Sequence, residues 1–389
     1  MKKKTRFVAA LLAACLAASL AGCGAPAAPA ASGPQSAASA PATRTVTDMR
    51  GKEVTFPADP QRVAVFDKGF VVQTMAALGV QDRLVASGGL VQPGSHAEER
   101  DSLTLCPQLL ELPQLGYPTD AVDYEALAAA APDLVILRNT EYIKDGEGTA
   151  QMIRRIEEEF HLPLVVVNGP GAVENGTLEV QYQGVRLLGQ IFGREERAQE
   201  IISLMEEPIS LVEQRTESIP EEEKPGVMYL GLAGSDVVGT VWGQDFGDAK
   251  FSTQVAHIRN VYQVHGREKM SAEQILTLRP EVLILCTNSV RPHPDVLKQP
   301  EYQVLSGLPA VEQGRVTSLG LLTWWGDFRL EVPTILLIAA KSAYPQQFQD
   351  IQVGEWLNEY HQQLYGLDEA GAQHLKEVQQ LTWMDEAGF

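Results

Sequence analysis

Residues 123–137, DYEALAAAAPDLVIL, and residues 271–285, SAEQILTLRPEVLIL, carry the same local pattern twice. Each begins with a capping-type residue (Asp123, Ser271) and places a glutamate in the first helical turn (Glu125, Glu273). A proline follows that glutamate by seven positions (Pro132, Pro280), and an acidic residue then opens an apolar strand. An Asp or Ser at an N-cap accepts a hydrogen bond from an orphaned backbone N–H, and a first-turn carboxylate is favoured by the helix macrodipole. The two units lie about 150 residues apart, too far for a solenoid repeat and about one domain length. Such a chain is expected to fold as two related lobes.

The surrounding sequence fits that expectation. RVAVF (62–66), RLVAS (83–87), DLVILR (133–138) and LPLVVVN (162–168) are short β-rich runs, separated by helical patterns such as KGFVVQTMAALG and DGEGTAQMIRRIEEEF. The pattern restarts with GVMYLG (226–231), EVLILC (281–286) and RVTSLG (315–320). Alternation of this kind predicts mostly parallel sheets covered by helices, an α/β fold. Between the two sets, residues 176–216 keep helical periodicity with few breakers before Pro208, as one long helix or two in tandem. The expected organisation is an N-terminal α/β lobe over 44–175, a bridging helix region over 176–216, and a C-terminal α/β lobe with terminal helices over 217–389. With 389 residues and 44% hydrophobic content the chain has apolar material for two lobes.

The first residues, MKKKTRFVAALLAACLAASLAGC, combine a basic start with an apolar run of export-signal length. The run ends in Leu20-Ala21-Gly22-Cys23, which resembles a bacterial lipobox, in which Cys23 is acylated and becomes the new N-terminus. Residues 1–22 are thus read as a lipoprotein signal peptide, and residues 23–43, almost all Ala, Pro, Ser and Gly, as a flexible lipid-anchored linker. The formal net charge is −19, and loss of the basic leader makes the remainder more acidic still. That charge opposes binding to nucleic acid and to anionic lipid, so membrane association is assigned to the lipid on Cys23. Cys106 and Cys286, the cysteines left in the globule, fall in different halves and are read as free thiols. The histidines form no metal-ligand motif, and neither a Walker A loop nor a G-x-S-x-G elbow is present. No catalytic residue, cofactor or protein-held metal is assigned.

In open α/β sheets ligands bind beyond the carboxyl ends of the strands. Here that rule points to Lys68, Arg138 and Tyr142 in the first half, and to Trp242, Arg291, Trp324, Trp325 and Arg329 in the second. With Tyr117 they form the ligand-binding candidates: flat amphipathic rings and forked or point cations suited to a bulky or anionic small molecule. Considered singly, each tryptophan also suits a core and each arginine a local ion pair; Arg329 has Asp327 and Glu331 nearby in sequence.

VTDMRGKEVTFPADPQRVAVF (46–66), a helix ending in ALGVQDRLVASG, YEALAAAAPDLVIL, SAEQILTLRPEVLIL, the turn VTSLG and the helix ending EWLNEYHQQLYG follow in an order that resembles the iron-siderophore, haem and vitamin B12 class of substrate-binding proteins of ABC importers. The resemblance spans 45–366; the segment 93–120 and the tail after Gly366 depart from its commoner members. It implies two three-layer α/β lobes joined by one long rigid helix, a ligand cleft between them, small lobe movements and a monomer. It implies as partners a permease dimer with its ATPase, with Glu125 and Glu273 each docking on one permease subunit, and a metal-chelate ligand. An iron complex (ferric siderophore or haem) comes first and a corrinoid (vitamin B12) close behind, with an oxyanion such as molybdate as a further alternative. For haem, Tyr117, Tyr142, His96 and His265 are the axial candidates. The alternative of a different class is a chelatase-like or metallocluster enzyme, since two-lobed α/β proteins include both.

Overall fold

The computed structural model describes residues 42–67, 69–89, 101–119, 121–141, 143–234, 238–288, 290–322 and 329–389. Cys23, Lys68, His96, Tyr142, Trp324 and Trp325 lie outside them. The chain opens with an antiparallel hairpin, β1 (Thr43–Thr47) and β2 (Glu53–Pro57). A parallel sheet follows, formed by β3 (Val63–Phe66), β4 (Leu84–Gly88), β5 (Leu134–Asn139) and β6 (Leu164–Asn168) in the order β4-β3-β5-β6. The second sheet contains β7 (Gly226–Leu232), β8 (Gly239–Trp242), β9 (Arg259–Asn260), β10 (Arg267–Met270), β11 (Val282–Leu285) and β12 (Val316–Ser318). Its order is β10-β8-β7-β11-β12, with β9 also paired to β7. β7, β11 and β12 run parallel, as the alternation predicts, but β8 runs antiparallel to both of its neighbours, β7 and β10.

The helices of the first half are α1 (Phe70–Ala77), α2 (Asp101–Leu105), α3 (Tyr124–Ala130), α4 (Glu147–Arg154) and α5 (Leu178–Phe192). Then come α6 (Glu195–Thr216), α7 (Gly247–Val255), α8 (Ala272–Leu278), the short α9 (Pro309–Glu312), α10 (Val332–Ala343), α11 (Val353–Tyr365), α12 (Glu369–Val378) and α13 (Trp383–Ala387). The region 176–216 is therefore two helices in tandem rather than one, ended and restarted where Gly193 takes a left-handed conformation (φ 62°). α5 stays on the first sheet, and α6 spans the two halves. Near the start of α6, Arg197 donates to the carbonyl of Ala77 at 3.0 Å; at its end Arg215 pairs with Asp350 and Thr216 bonds His257. Pro208 lies inside α6 without ending it.

Side-chain alternation explains how the sheets are covered, because successive residues of a strand point to opposite faces. Val63, Val65, Leu134, Ile136, Val165 and Val167 of the first sheet share one core with Val227, Tyr229, Val282 and Ile284 of the second, together with side chains of α5, α6, α10 and α11. The alternate positions enter separate cores. Ala64, Phe66, Val135 and Leu137 pack under α3 and α4, while Met228, Leu230, Leu283 and Leu285 pack under α8. Both sheets are thus apolar on both faces, as strands of α/β proteins must be. Ala42–Phe389 form one compact unit.

The repeated sequence units become geometrically equivalent elements. α3 and α8 each have seven residues, and Asp123 and Ser271 cap them through the backbone N–H of Ala126 and Gln274. Both end in a non-glycine left-handed residue, Ala131 (φ 44°) and Arg279 (φ 45°), directly before the proline. The chain then enters β5 and β11, the strands that flank β3 and β7. Glu125 and Glu273 occupy the second position of their helices, exposed, on the side of each sheet turned away from the shared core. Replacing either cap, Asp123→Ala or Ser271→Ala, should lower unfolding free energy by about 1 kcal/mol. Urea unfolding of each variant checks this.

Candidate functional site

In the first sheet the strand order reverses at β3, whose neighbours are β4 and β5, and it is at the carboxyl side of such a switch point that open α/β sheets bind ligands. Asp67 follows β3 and its carboxylate accepts from the backbone N–H of Val72 at 3.1 Å, anchoring the start of α1. At the ends of β5 and β6, Asn139 donates through its amide to Asn168 at 3.0 Å. In the second sheet Asn288, just beyond β11, donates to the carbonyl of Gly231 at 3.0 Å. The carboxyl edges of both sheets are thus finished by short polar side chains.

Arg138 sits in β5 with no exposed surface. Its guanidinium lies 3.8 Å from the centroid of the Phe70 ring and donates to the carbonyl of Asn168 (2.9 Å) and to Gln181 Oε1 on α5 (2.8 Å). Such a stacked, forked arrangement uses the planar geometry that distinguishes Arg from Lys. Tyr117 is buried in the outer core of the first sheet beside Phe66 and Leu137. Trp242 is buried against Phe246, with ring centroids 5.7 Å apart. It pairs with Tyr229 on the antiparallel strand β8, so it lies away from the carboxyl edge marked by Leu232. The strand-end rule assigns it to the stretch beyond 226–231, whereas it lies on a strand of its own, β8. His265 lies at the same end, exposed, paired with Asp245 at 2.6 Å.

Arg329 has a different structural position from the one expected of a ligand contact. Its Nη1 donates to both oxygens of Asp101 at 2.6 Å, across 228 residues of sequence, with the two side chains 5% and 4% exposed. Its Nη2 donates to the carbonyls of Leu321 and Leu322 at 3.2 Å, beyond β12. Gln73 on α1 also donates to Asp101, at 2.8 Å. The stem of Arg329 passes so close to Gly69 that a Cβ there would meet its Cδ at 2.7 Å. Gly69, with φ 142°, is therefore required twice, for its backbone conformation and for this approach. Asp101 supplies the carboxylate in these contacts, and Asp327 lies outside the described residues; Asp101 was not singled out in sequence because a lone aspartate before SLTL has no distinguishing pattern. Among the described ligand candidates only Arg291, beyond β11, is solvent-exposed.

Cys106 and Cys286 are buried free thiols. Burial pushes Cys106 up to about 12, and burial with nearby Asp248 raises Cys286 well above its ordinary value. Both are consequently poor nucleophiles.

Two α/β sheets, each with polar side chains at its carboxyl edge, and a helix that contacts elements of both halves make up this architecture. A family model described as periplasmic binding protein matches residues 65–320, and the chain belongs to that family. The molybdate-binding protein MolA of Haemophilus influenzae is 23% identical over 352 residues, covering 84% of this chain and 92% of that protein. A periplasmic solute binding protein from Veillonella parvula shares the fold with a TM-score of 0.71 at 22% identity, covering 90% of this chain and all of that one. A periplasmic heme binding protein from Pseudomonas aeruginosa matches with a TM-score of 0.53 at 22% identity, over 74% of this chain and 94% of that one. The family places the chain outside the cytoplasm, and among the described residues no helix is long and apolar enough to cross a membrane.

Arg329→Ala should lower unfolding free energy by about 3–5 kcal/mol, because it leaves the Asp101 carboxylate buried without its cation. Arg329→Met combined with Asp101→Leu should recover much of that loss, since an apolar pair of similar volume carries no desolvation penalty. Denaturant titration of the single and double variants distinguishes the two.

Proposed function

We propose that the chain is the solute-capturing component of an ABC importer, held at the outer face of the membrane by a lipid on Cys23, and that its solute is an anionic metal-centred species. The observation that carries the transport reading is the pairing of α3 and α8. Two capped helices of equal length cover the outward faces of the two sheets, each presenting one exposed glutamate at the same helical position. A pair of carboxylates set this way suits docking onto two cationic permease subunits, and electrostatic complementarity sets the register of such a complex. The linker 23–43 would keep the globule within reach of the permease while leaving it free to reorient.

An iron chelate, ferric siderophore or haem, is the first reading for the solute, with a corrinoid as its variant. Cations at strand ends are scarce in a chain this acidic, and Arg291 with Lys68 fit an anionic ligand. Tyr142, Trp324 and Trp325 provide flat faces for a bulky complex. A second reading, molybdate or a similar oxyanion, is favoured by the relationship to MolA over most of both chains. Arg329 is left out of either ligand shell, because its guanidinium is engaged by Asp101.

Thermal-shift measurements with haem, a ferric siderophore, cobalamin and molybdate separate these readings. The true ligand at about 100 times its dissociation constant adds roughly 2.7 kcal/mol of apparent stability. A shift with molybdate alone would replace the chelate reading; a shift with none would remove both. The docking reading has its own test. The double variant Glu125→Lys, Glu273→Lys should keep ligand affinity unchanged and abolish uptake into cells, whereas undiminished uptake would refute it.

A further inference from the structure

The joint around Arg329 contains a second carboxyl group that the Asp101 pair does not need. Glu331 follows in the same turn, 1% exposed, at the start of α10. The hydroxyl of Tyr365 on α11 donates to its Oε1 at 2.6 Å, and its buried Oε2 has no hydrogen-bond partner among the described residues. A buried carboxylate with an unsatisfied oxygen is costly, whereas the protonated acid is far less so. One guanidinium therefore stands in the field of two buried acids, one from each half of the chain.

We propose that Glu331 is the proton-operated element of a lock between the two halves of the protein. Protonated, it leaves Arg329 to Asp101 and keeps α1 and α2 fastened to the turn after β12. On losing its proton to solvent it competes for the same guanidinium and loosens that fastening. An extracytoplasmic protein meets the pH of its surroundings directly, so the lock would tighten in acid and slacken in mild alkali.

Among the described residues, the charged and titratable groups around Glu331 come from α2, its own turn, α11 and α12. Asp101 on α2 and Arg329 on its own turn act in opposite directions; burial is the largest cause of its displacement, Asp101 adds to it, and Arg329 and Tyr365 work against it, for a value of about 7. On α11, Tyr360 donates to the carbonyl of Leu330 at 2.6 Å, and burial raises both Tyr360 and Tyr365 well above the ordinary range, so both stay neutral. His361 on the same helix is lowered by burial to about 4 and is neutral above that pH. Lys376 on α12 is buried and paired with Asp385 at 2.8 Å. Of the displaced groups in this cluster, Glu331 is the one whose value falls between pH 5.5 and 8.

The sign follows from linkage. The folded value of about 7 stands above the ordinary 4.5, so the native protein retains a proton that the unfolded chain has lost. The contribution of Glu331 to stability is complete below 4.5 and is lost as pH rises through about 7.

Hydrogen exchange of the intact protein tests the lock without knowledge of the ligand. After correction for intrinsic rates, the amides of 70–77 and 101–105 should exchange about tenfold faster at pH 8 than at pH 5.5, reflecting more frequent local opening. Glu331→Gln should keep them protected at both. Tyr365→Phe, which removes the hydrogen bond favouring the ionised acid, should move the midpoint to higher pH. Equal pH dependence in the parent and Glu331→Gln would overturn the proposal. If the glutamine variant does not fold, an unmoved midpoint in Tyr365→Phe would overturn it as well.

Discussion

Strands buried on both faces oblige a sheet to find two apolar layers, and this chain has two such sheets. It meets that demand by letting the inner faces share one core, with α5, α6, α10 and α11 packed between them. The outer faces are covered by α3 and α4 on the first sheet and, on the second, by α8 together with α9 and the helical turns over 294–305. At about 25 cal/mol per Å² of apolar surface removed from water, a continuous core of this kind is the dominant favourable contribution to the fold.

Within that frame the carboxyl edges of the sheets are available for chemistry, yet two of the three arginines expected there serve the structure. Arg138 is stacked on Phe70 and bonded to Asn168 and Gln181, and Arg329 crosses between the halves to Asp101. The reason is desolvation. A guanidinium removed from water must have its donors occupied, and the residues around both arginines supply those acceptors before any solute arrives. Each then acts as a support for the segments beside it. For Arg329 that support joins the loop after β3 to the turn after β12.

Much of the fold was legible in the residues. The runs 62–66, 83–87, 133–138, 162–168, 226–231, 281–286 and 315–320 all contain strands, because period-two apolar runs bounded by turn residues have few other stable uses. The caps Asp123 and Ser271 were legible for the same local reason. The hairpin of β1 and β2 was not read as strands; it is held in part by Asp48, which accepts from the backbone N–H of Arg50 and of Val166, a contact made across 118 residues. Tyr117 and Trp242 were misjudged as cleft residues because a large ring with a polar tip suits a core as well as a pocket.

Local chemistry alone determined the α/β class, the helical character of 176–216 and the equivalence of the two Glu-bearing units, since each depends on propensity, capping and periodicity within a few turns of chain. Tertiary structure decided which way β8 runs, which arginines are spent on the protein itself, and that Asp101 meets the Arg329 guanidinium from 228 residues away. Those outcomes depend on pairings across tens to hundreds of residues, where the energy lies in burial and in the partner's position, and neither is written in the neighbouring sequence.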